Sequence, residues 1–238
     1  VKSLEVYIGT SGWSYDWNPN GFEWYYENSK LNAVELNASF YRFPFPSMIR
    51  SWSRRGKIRW AIKVTRLVTH VYKFGEKSYA TWDKFRKLFS PMEHLIDFYL
   101  FQLPPSAAPT QQMVERIESF YKKSELETRF ALEWRNIKWF SERWVKWCEN
   151  LGLTLVSLDS PEHPRVIFNV NGIVYLRIHG RDSWYSYCYS EEELEELVNQ
   201  VVEAKPRKAY VFFNNNHDML SNAQQMLDIF KLKGVKIA

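Results

Sequence analysis

Cysteine is nearly missing from this chain: its 238 residues include two, Cys148 and Cys188. Two thiols are too few for a disulfide framework or a thiolate metal cage, so they read as a buried helix residue and a loop residue, both reduced. Long apolar runs are missing as well. Runs such as Ile173–Leu176 and the Val-Phe-Phe after Tyr210 fall far short of the ~20 residues that span a bilayer, so no membrane contact is expected. No charged-then-apolar N-terminal stretch reads as a signal peptide, which makes the cytoplasm the expected compartment. Glycine is sparse at nine residues, and no Gly-rich phosphate loop opens the chain, which argues against an open dinucleotide-binding sheet.

What is present is an ordinary globular balance, 45% hydrophobic and 25% charged, with 17% aromatic residues including 11 Trp to fill a large core. The net charge of +5 permits polyanionic partners without requiring them. Apolar strand-like runs recur at Val6–Gly9, Ala33–Asn37, Arg59–Thr65, Phe98–Leu103, Arg129–Arg135, Leu153–Asp159, Ile173–Gly180 and Lys208–Asn215. Between them the period changes to that of helices. Met113, Ile117, Phe120 and Tyr121 form one stripe, and Trp144, Trp147, Cys148 and Leu151 another. Leu194, Leu197, Val198 and Val201 form a third, and Ala223, Met226, Leu227 and Phe230 a fourth. Ser190 with Glu193 predicts a capping box, and Gly152 and Gly234 sit at predicted helix ends.

Eight strands at a spacing of roughly 30 residues, the size of a strand-plus-helix unit, predict one (β/α)8 TIM-type barrel over 1–238. Pro161 and Pro164 predict an irregular sixth crossover, where Val166–Val170 reads as a strand and Asn171-Gly172 as a hairpin turn.

Alternation sorts each strand into two faces. It sends Glu35 and Asn37, Lys63 and Thr65, Gln102, Glu133 and Arg135, Ser157 and Asp159, Arg177 and His179, and Phe212 and Asn214 toward the barrel interior. Nearly all are polar and lie late in their strands, at the end where barrel enzymes place their chemistry. Burying an unpaired charge costs several kcal/mol, so Glu35, Glu133 and Asp159 are expected to pair with Lys63, Arg135 and Arg177. Arg42, Arg66 and His70 on the following loops then tip this end positive, which suits phosphate or carboxylate. The competing reading is an ion-pair network that only closes the barrel.

The runs Gly9-Thr-Ser-Gly-Trp-Ser-Tyr15, Val34-Glu-Leu-Asn-Ala-Ser-Phe-Tyr-Arg42, Ile62-Lys-Val-Thr-Arg66, Phe101-Gln-Leu-Pro-Pro-Ser106, Leu132-Glu-Trp-Arg135 and Tyr175-Leu-Arg-Ile-His-Gly180 resemble those of the YecE-like domain-of-unknown-function family. So do Thr69-His70, Asp159 with Pro161, and Phe213-Asn-Asn215 with Asn222-Ala223. The resemblance implies a TIM-type barrel related in fold to the endonuclease IV and xylose isomerase group, and it supplies no established activity. Two loops depart from the family pattern: Asp16–Phe22, and Asn216-His217-Asp218-Met219.

Three chemistries compete. His70, His179, His217 and the three carboxylates could ligate a divalent metal, but Lys63 and Arg177 among them would repel it. Metal-free acid–base work would use Glu35, Glu133 and Asp159 to activate water, with Asp159 near His179 and His179 as proton donor. Lys63, Arg135 and Arg177 would then neutralise a phosphate. Aromatic residues beside basic ones (Trp13, Tyr15 and Trp17; Tyr41 and Arg42; Arg181, Trp184, Tyr185 and Tyr187) suit stacking on single-stranded or distorted DNA or RNA. The start of the last helix, Ser221-Asn222, reads as a further phosphate site. The leading expectation is a nuclease-like phosphodiester hydrolase binding through Trp13, Asn37, Tyr41, Arg42, Lys63, Arg66, His70, Gln102, Arg135, Arg177 and Asn214. Its rivals are a sugar-phosphate or sugar-acid isomerase or aldolase-like enzyme, and a non-catalytic anion-binding barrel. The sequence leaves substrate, metal and oligomeric state open.

Overall fold

The computed structural model describes residues 4–238. Strands β1 (Glu5–Ser11), β2 (Ala33–Leu36), β3 (Arg59–Lys63), β4 (Ile96–Gln102), β5 (Phe130–Glu133), β6 (Thr154–Asp159), β7 (Ile173–Ile178) and β8 (Lys208–Phe213) form a closed parallel barrel. They are hydrogen-bonded in sequence order, with β1 pairing both β2 and β8. Helices α1 (Gly21–Asn28), α2 (Pro46–Trp52), α3 (Glu76–Phe89), α4 (Gln111–Ser124), α5 (Glu142–Leu151), α6 (Glu191–Glu203) and α7 (Met219–Leu232) lie between them. A short ninth strand, β9 (Lys236–Ile237), which the periodicity did not reveal, pairs with β1 at Glu5 and Val6. There the Asn32 side chain accepts from Ile8 N and donates to Val6 O and Ala238 O, standing in for a strand neighbour.

The chain divides into two compact units: one comprises the chain up to Glu35, Lys57–Arg59 and Val156–Ala238; the other comprises Leu36–Gly56 and Trp60–Leu155. In the second, the outward rings of β4 and β5 meet the helix stripes. Tyr99 and Phe101 pack on Trp82 of α3, and Phe101 and Phe130 pack on Phe120 of α4. In the first, Leu194, Leu197, Val198 and Val201 of α6 and Ala223, Met226 and Phe230 of α7 are buried as their spacing predicts. The predicted local signals hold. Ser190 and Glu193 form a reciprocal capping box, and α5 ends at Gly152 with φ 90°. Gly9 is required by close approach, since a Cβ there would lie 2.1 Å from Ala33 O.

The sixth crossover departs from its prediction. No helix spans 160–172, as the prolines imply, but the expected hairpin shrinks to a single bridge, Val170–Ile173. Asn171 (φ 55°) and Gly172 (φ 77°) supply the turn. Val166 is exposed and not in a strand, because the two prolines leave the preceding backbone no ladder to join.

Parallel register fixes which residues share a face, since directly paired residues point the same way. Along β1, β7 and β8, Gly9, Phe212 and Arg177 are in register, as are Tyr7, Tyr210 and Tyr175 one step down. Ser11 pairs with Glu35. Lys63, Leu100 and Ala131 share a face with Gln102 and Glu133 two residues on. The predicted inward set therefore holds for β2, β3, β4, β5, β7 and β8. It fails for β6, where Leu158 pairs with inward Arg177 and Asp159 pairs with Ile178. Ser157 and Asp159 face outward. Asn37, Thr65, Arg135, His179 and Asn214, predicted within strands, lie one or two residues beyond their ends.

Candidate functional site

In the first unit, the inward end of the strands centres on Glu35, which is fully buried. Its Oε1 accepts from Ser11 Oγ (2.8 Å) and from Arg177 Nη2 (2.8 Å) and Nε (3.0 Å). Its Oε2 accepts from Tyr175 OH at 2.6 Å and Arg177 Nε at 3.1 Å. Donors occupy both oxygens, so Glu35 is the hydrogen-bonded counter-ion of Arg177. Ser11 and Tyr175 were not among the predicted site residues, although Tyr175 is two residues before Arg177 and so on its face.

Above this pair, Tyr15 OH donates to Ser11 O at 2.8 Å and its ring stacks on Trp17. Burial, and next the charge of Glu35, push the Tyr15 phenol up to about 12. Trp13 is half-buried against Phe22. The two loops that depart from the family pattern are joined: Asp16 Oδ2 lies 2.6 Å from His217 Nδ1, and Trp17 Nε1 donates to Asn216 O. The Asp16 carboxylate raises the His217 imidazole above its ordinary value.

His179 is also completely buried, with Trp184 and Tyr185 rings 5.2 and 5.7 Å away and Asn214 Nδ2 3.3 Å from its Nδ1. The Asp159 carboxylate does not reach it; their contact is the backbone bond from His179 N to Asp159 O. Asp159 instead accepts from Tyr189 OH at 2.5 Å and from Arg181 at 3.2–3.4 Å. Its cation is thus Arg181, not one of the three expected, because the residue faces outward. The predicted phosphate site at Ser221-Asn222 fails too. α7 begins at Met219, and the Asn222 amide is bonded to Tyr189 and Asn215.

In the second unit, Lys63 is buried and its Nζ sits 4.3 Å from the centre of the Phe40 ring. The same ring meets Tyr41 and His70 edge-on, at 4.9 and 5.0 Å. Phe40 was not predicted, yet it joins three predicted residues. A short π-helical turn, Leu67–Val71, presents His70, whose Nδ1 is 2.8 Å from Thr69 Oγ1. Burial, then the charges of Lys63, Arg66, Arg135 and Lys73, lower the His70 imidazole to about 4. His70 is therefore neutral at pH 7 and adds no positive charge, contrary to its predicted part. Glu133 is fully buried and bonded to Arg135 Nε as predicted, and Arg135 Nη2 approaches Gln102 Oε1. Arg42 and Arg66 are exposed, Asn37 is half-buried, and Tyr41 stands 75% exposed.

Each of the three carboxylates assigned to water or metal activation is bonded to its own arginine: Glu35 to Arg177, Asp159 to Arg181 and Glu133 to Arg135. Glu35 and Asp159 lie on opposite faces of their strands, and Glu133 belongs to the second unit. Among the described residues, no group of three His, Cys, Asp or Glu side chains is placed to hold a metal ion. Cys148 and Cys188 are both free thiols, buried and exposed respectively, and no described helix is long and apolar enough to cross a membrane.

Strand order and alternating helices define a TIM-type barrel. Residues 7–237 match the family described as Protein of unknown function DUF72, the same family as YecE-like, and the chain belongs to it. A crystal structure of a DUF72 family protein (TM1631) from Thermotoga maritima matches with a TM-score of 0.86 and 28% identity, over 95% of this chain and 99% of that one. A second DUF72 family protein (EF0366), from Enterococcus faecalis, matches at 0.79 and 21% identity, over 97% and 99%. SacUVDE matches at 0.63 with 11% identity, over 98% and 99%, a likeness of fold. No curated protein matches.

Proposed function

We propose that this barrel binds a phosphate-bearing ligand at the C-terminal ends of β3 to β5 through Lys63, Arg66 and Arg135, and that the ligand is single-stranded nucleic acid. The observation that carries the reading is the surroundings of His70. Four cations act on one half-buried imidazole, and a bound phosphate would relieve their mutual repulsion. The nucleic-acid part rests on Tyr41, a largely exposed ring that touches Phe40 and is followed by exposed Arg42. Such a ring can stack on a base while neighbouring cations hold the backbone.

The reaction we assign is phosphodiester hydrolysis. Water attacks phosphorus, one water proton passes to Glu133 once Arg135 turns to the phosphate, and the departing oxygen takes a proton from solvent. Asp159 and Glu35 have no part in this scheme, one facing outward and the other the buried counter-ion of Arg177.

Fluorescence anisotropy with a labelled single-stranded 12-mer tests the binding. Three phosphate contacts predict a slope near −2 in log affinity against log salt, hence about 20-fold weaker binding at 200 mM than at 50 mM. Absent or salt-insensitive binding overturns the reading. Cleavage of the same strand, lost in Glu133→Gln with binding retained, tests the hydrolysis.

A further inference from the structure

The loop joining β7 to α6 is tied down at both ends, and its middle lies against a buried histidine. At its start, Gly180 has φ 115°, and a Cβ there would sit 2.3 Å from Ser183 O and 2.9 Å from Tyr187 Cβ, so only glycine fits. Gly180 N donates to Tyr189 OH, and that hydroxyl donates to Asp159 Oδ1. Arg181 runs from Asp159 to Glu196 (3.1 Å) and Glu193 (3.7 Å) on α6. At its end, the Tyr189 backbone exchanges bonds with the Asn222 amide, Asn215 Nδ2 bonds Asn222 Oδ1 and Tyr187 O, and Tyr187 OH donates to Glu193. Asp159, at 1% exposure, is where the ties from both ends meet.

Between these ties the chain is different. Asp182, Ser183, Tyr185 and Ser186 are exposed. The turn is held by Ser183 Oγ donating to Ser186 O and by Tyr185 N donating to His179 O at 2.7 Å. Tyr185 has φ 65°, a left-handed conformation that a bulky L-residue adopts only under strain. Its two rings, Trp184 and Tyr185, lie 5.2 and 5.7 Å from the ring of His179, which has no exposed surface.

We propose that residues 181–188 are a hinged cover over His179, and that Asp159 is its positioning residue, holding the two hinge ends through Tyr189 and Arg181. Asp159 then acts through the loop and has no contact with a reacting atom. The cover admits a ligand to His179 by lifting Trp184 and Tyr185 while the ends stay bound. This inference does not depend on phosphate binding in the second unit, so either can fail alone.

The test is carbethoxylation of the five histidines by diethyl pyrocarbonate, followed by mass spectrometry on the full chain. In the unaltered protein His179 reacts at least about tenfold more slowly than exposed His94, because reaction must await local opening. Tyr189→Phe keeps the ring and removes the bond to Asp159; it is expected to speed His179 about tenfold and leave His94 unchanged. Trp184→Ala removes the covering ring without disturbing the buried carboxylate, and has the same expected result if Tyr189→Phe fails to fold. Amide exchange at Tyr185 N, whose acceptor is His179 O, speeds up alongside. The proposal is overturned if His179 reacts as fast as His94 in the unaltered protein. It is overturned equally if neither variant moves it, or if both histidines accelerate together as general loosening requires.

Discussion

Arg177→Met is expected to lower the unfolding free energy by about 3–5 kcal/mol, the usual loss when one partner of a buried ion pair is removed. Arg177 is 1% exposed and Glu35 is fully buried, so neither can recover its lost bonds from water. The carboxylate would keep only Ser11 Oγ and Tyr175 OH as the donors described for it. At roughly 2–4 °C per kcal/mol for a domain of this size, the melting temperature falls by roughly 6–20 °C. Adding Glu35→Gln to the same chain removes the stranded charge and returns part of that loss, a non-additivity that marks the two residues as one unit. Urea unfolding followed by circular dichroism measures both. An unchanged or raised stability in Arg177→Met would mean that the pair does not hold the barrel interior.

The second large effect belongs to the proposed ligand. Lys63→Met with Arg66→Ala removes two of the three cations assigned to phosphate. Each contact contributes about 0.7 to the salt exponent on a single strand, so affinity at 50 mM salt falls about 70-fold and the slope flattens from near −2 to about −0.7. Lys63→Met keeps a flexible apolar stem against Phe40, which limits the packing loss. Arg50→Ala with Arg54→Ala changes net charge equally on exposed residues of the same unit. That control is expected to move affinity far less. Equal losses in the two double variants would assign the binding to net charge and remove the site.

Much of this architecture is legible in the residues themselves. Strand periodicity and capping signals give the barrel because several βα units carry their own local evidence: the Ser190 and Glu193 box, the glycine after α5, and four apolar helix stripes. Alternation also identifies Glu35, Lys63, Gln102, Glu133 and Arg177 as inward, since in those strands apolar and polar residues take opposite faces. β6 defeats it. Both faces of the strand are buried, and the face that carries Ser157 and Asp159 packs outward, so polarity does not mark the inside here and the phase is set by register against β7. Asp159 is consequently misassigned, and its partners Arg181 and Tyr189 lie 22 and 30 residues on, in a loop without periodicity. His70 shows a different gap. The residue type is visible in the sequence, but its charge at pH 7 depends on burial beside Lys63 and Arg66, which only the folded chain brings about.

The most direct test of the phosphate proposal is the titration of the His70 ring by NMR, with and without a single-stranded oligonucleotide. In the ligand-free protein the imidazole is predicted to titrate near 4, because burial and four nearby cations disfavour its charged form. With the strand bound, phosphate charge offsets those cations and the midpoint moves back toward the ordinary 6.5. A ring that titrates near 6.5 without ligand, or stays near 4 with the oligonucleotide saturating, would contradict the proposed phosphate site.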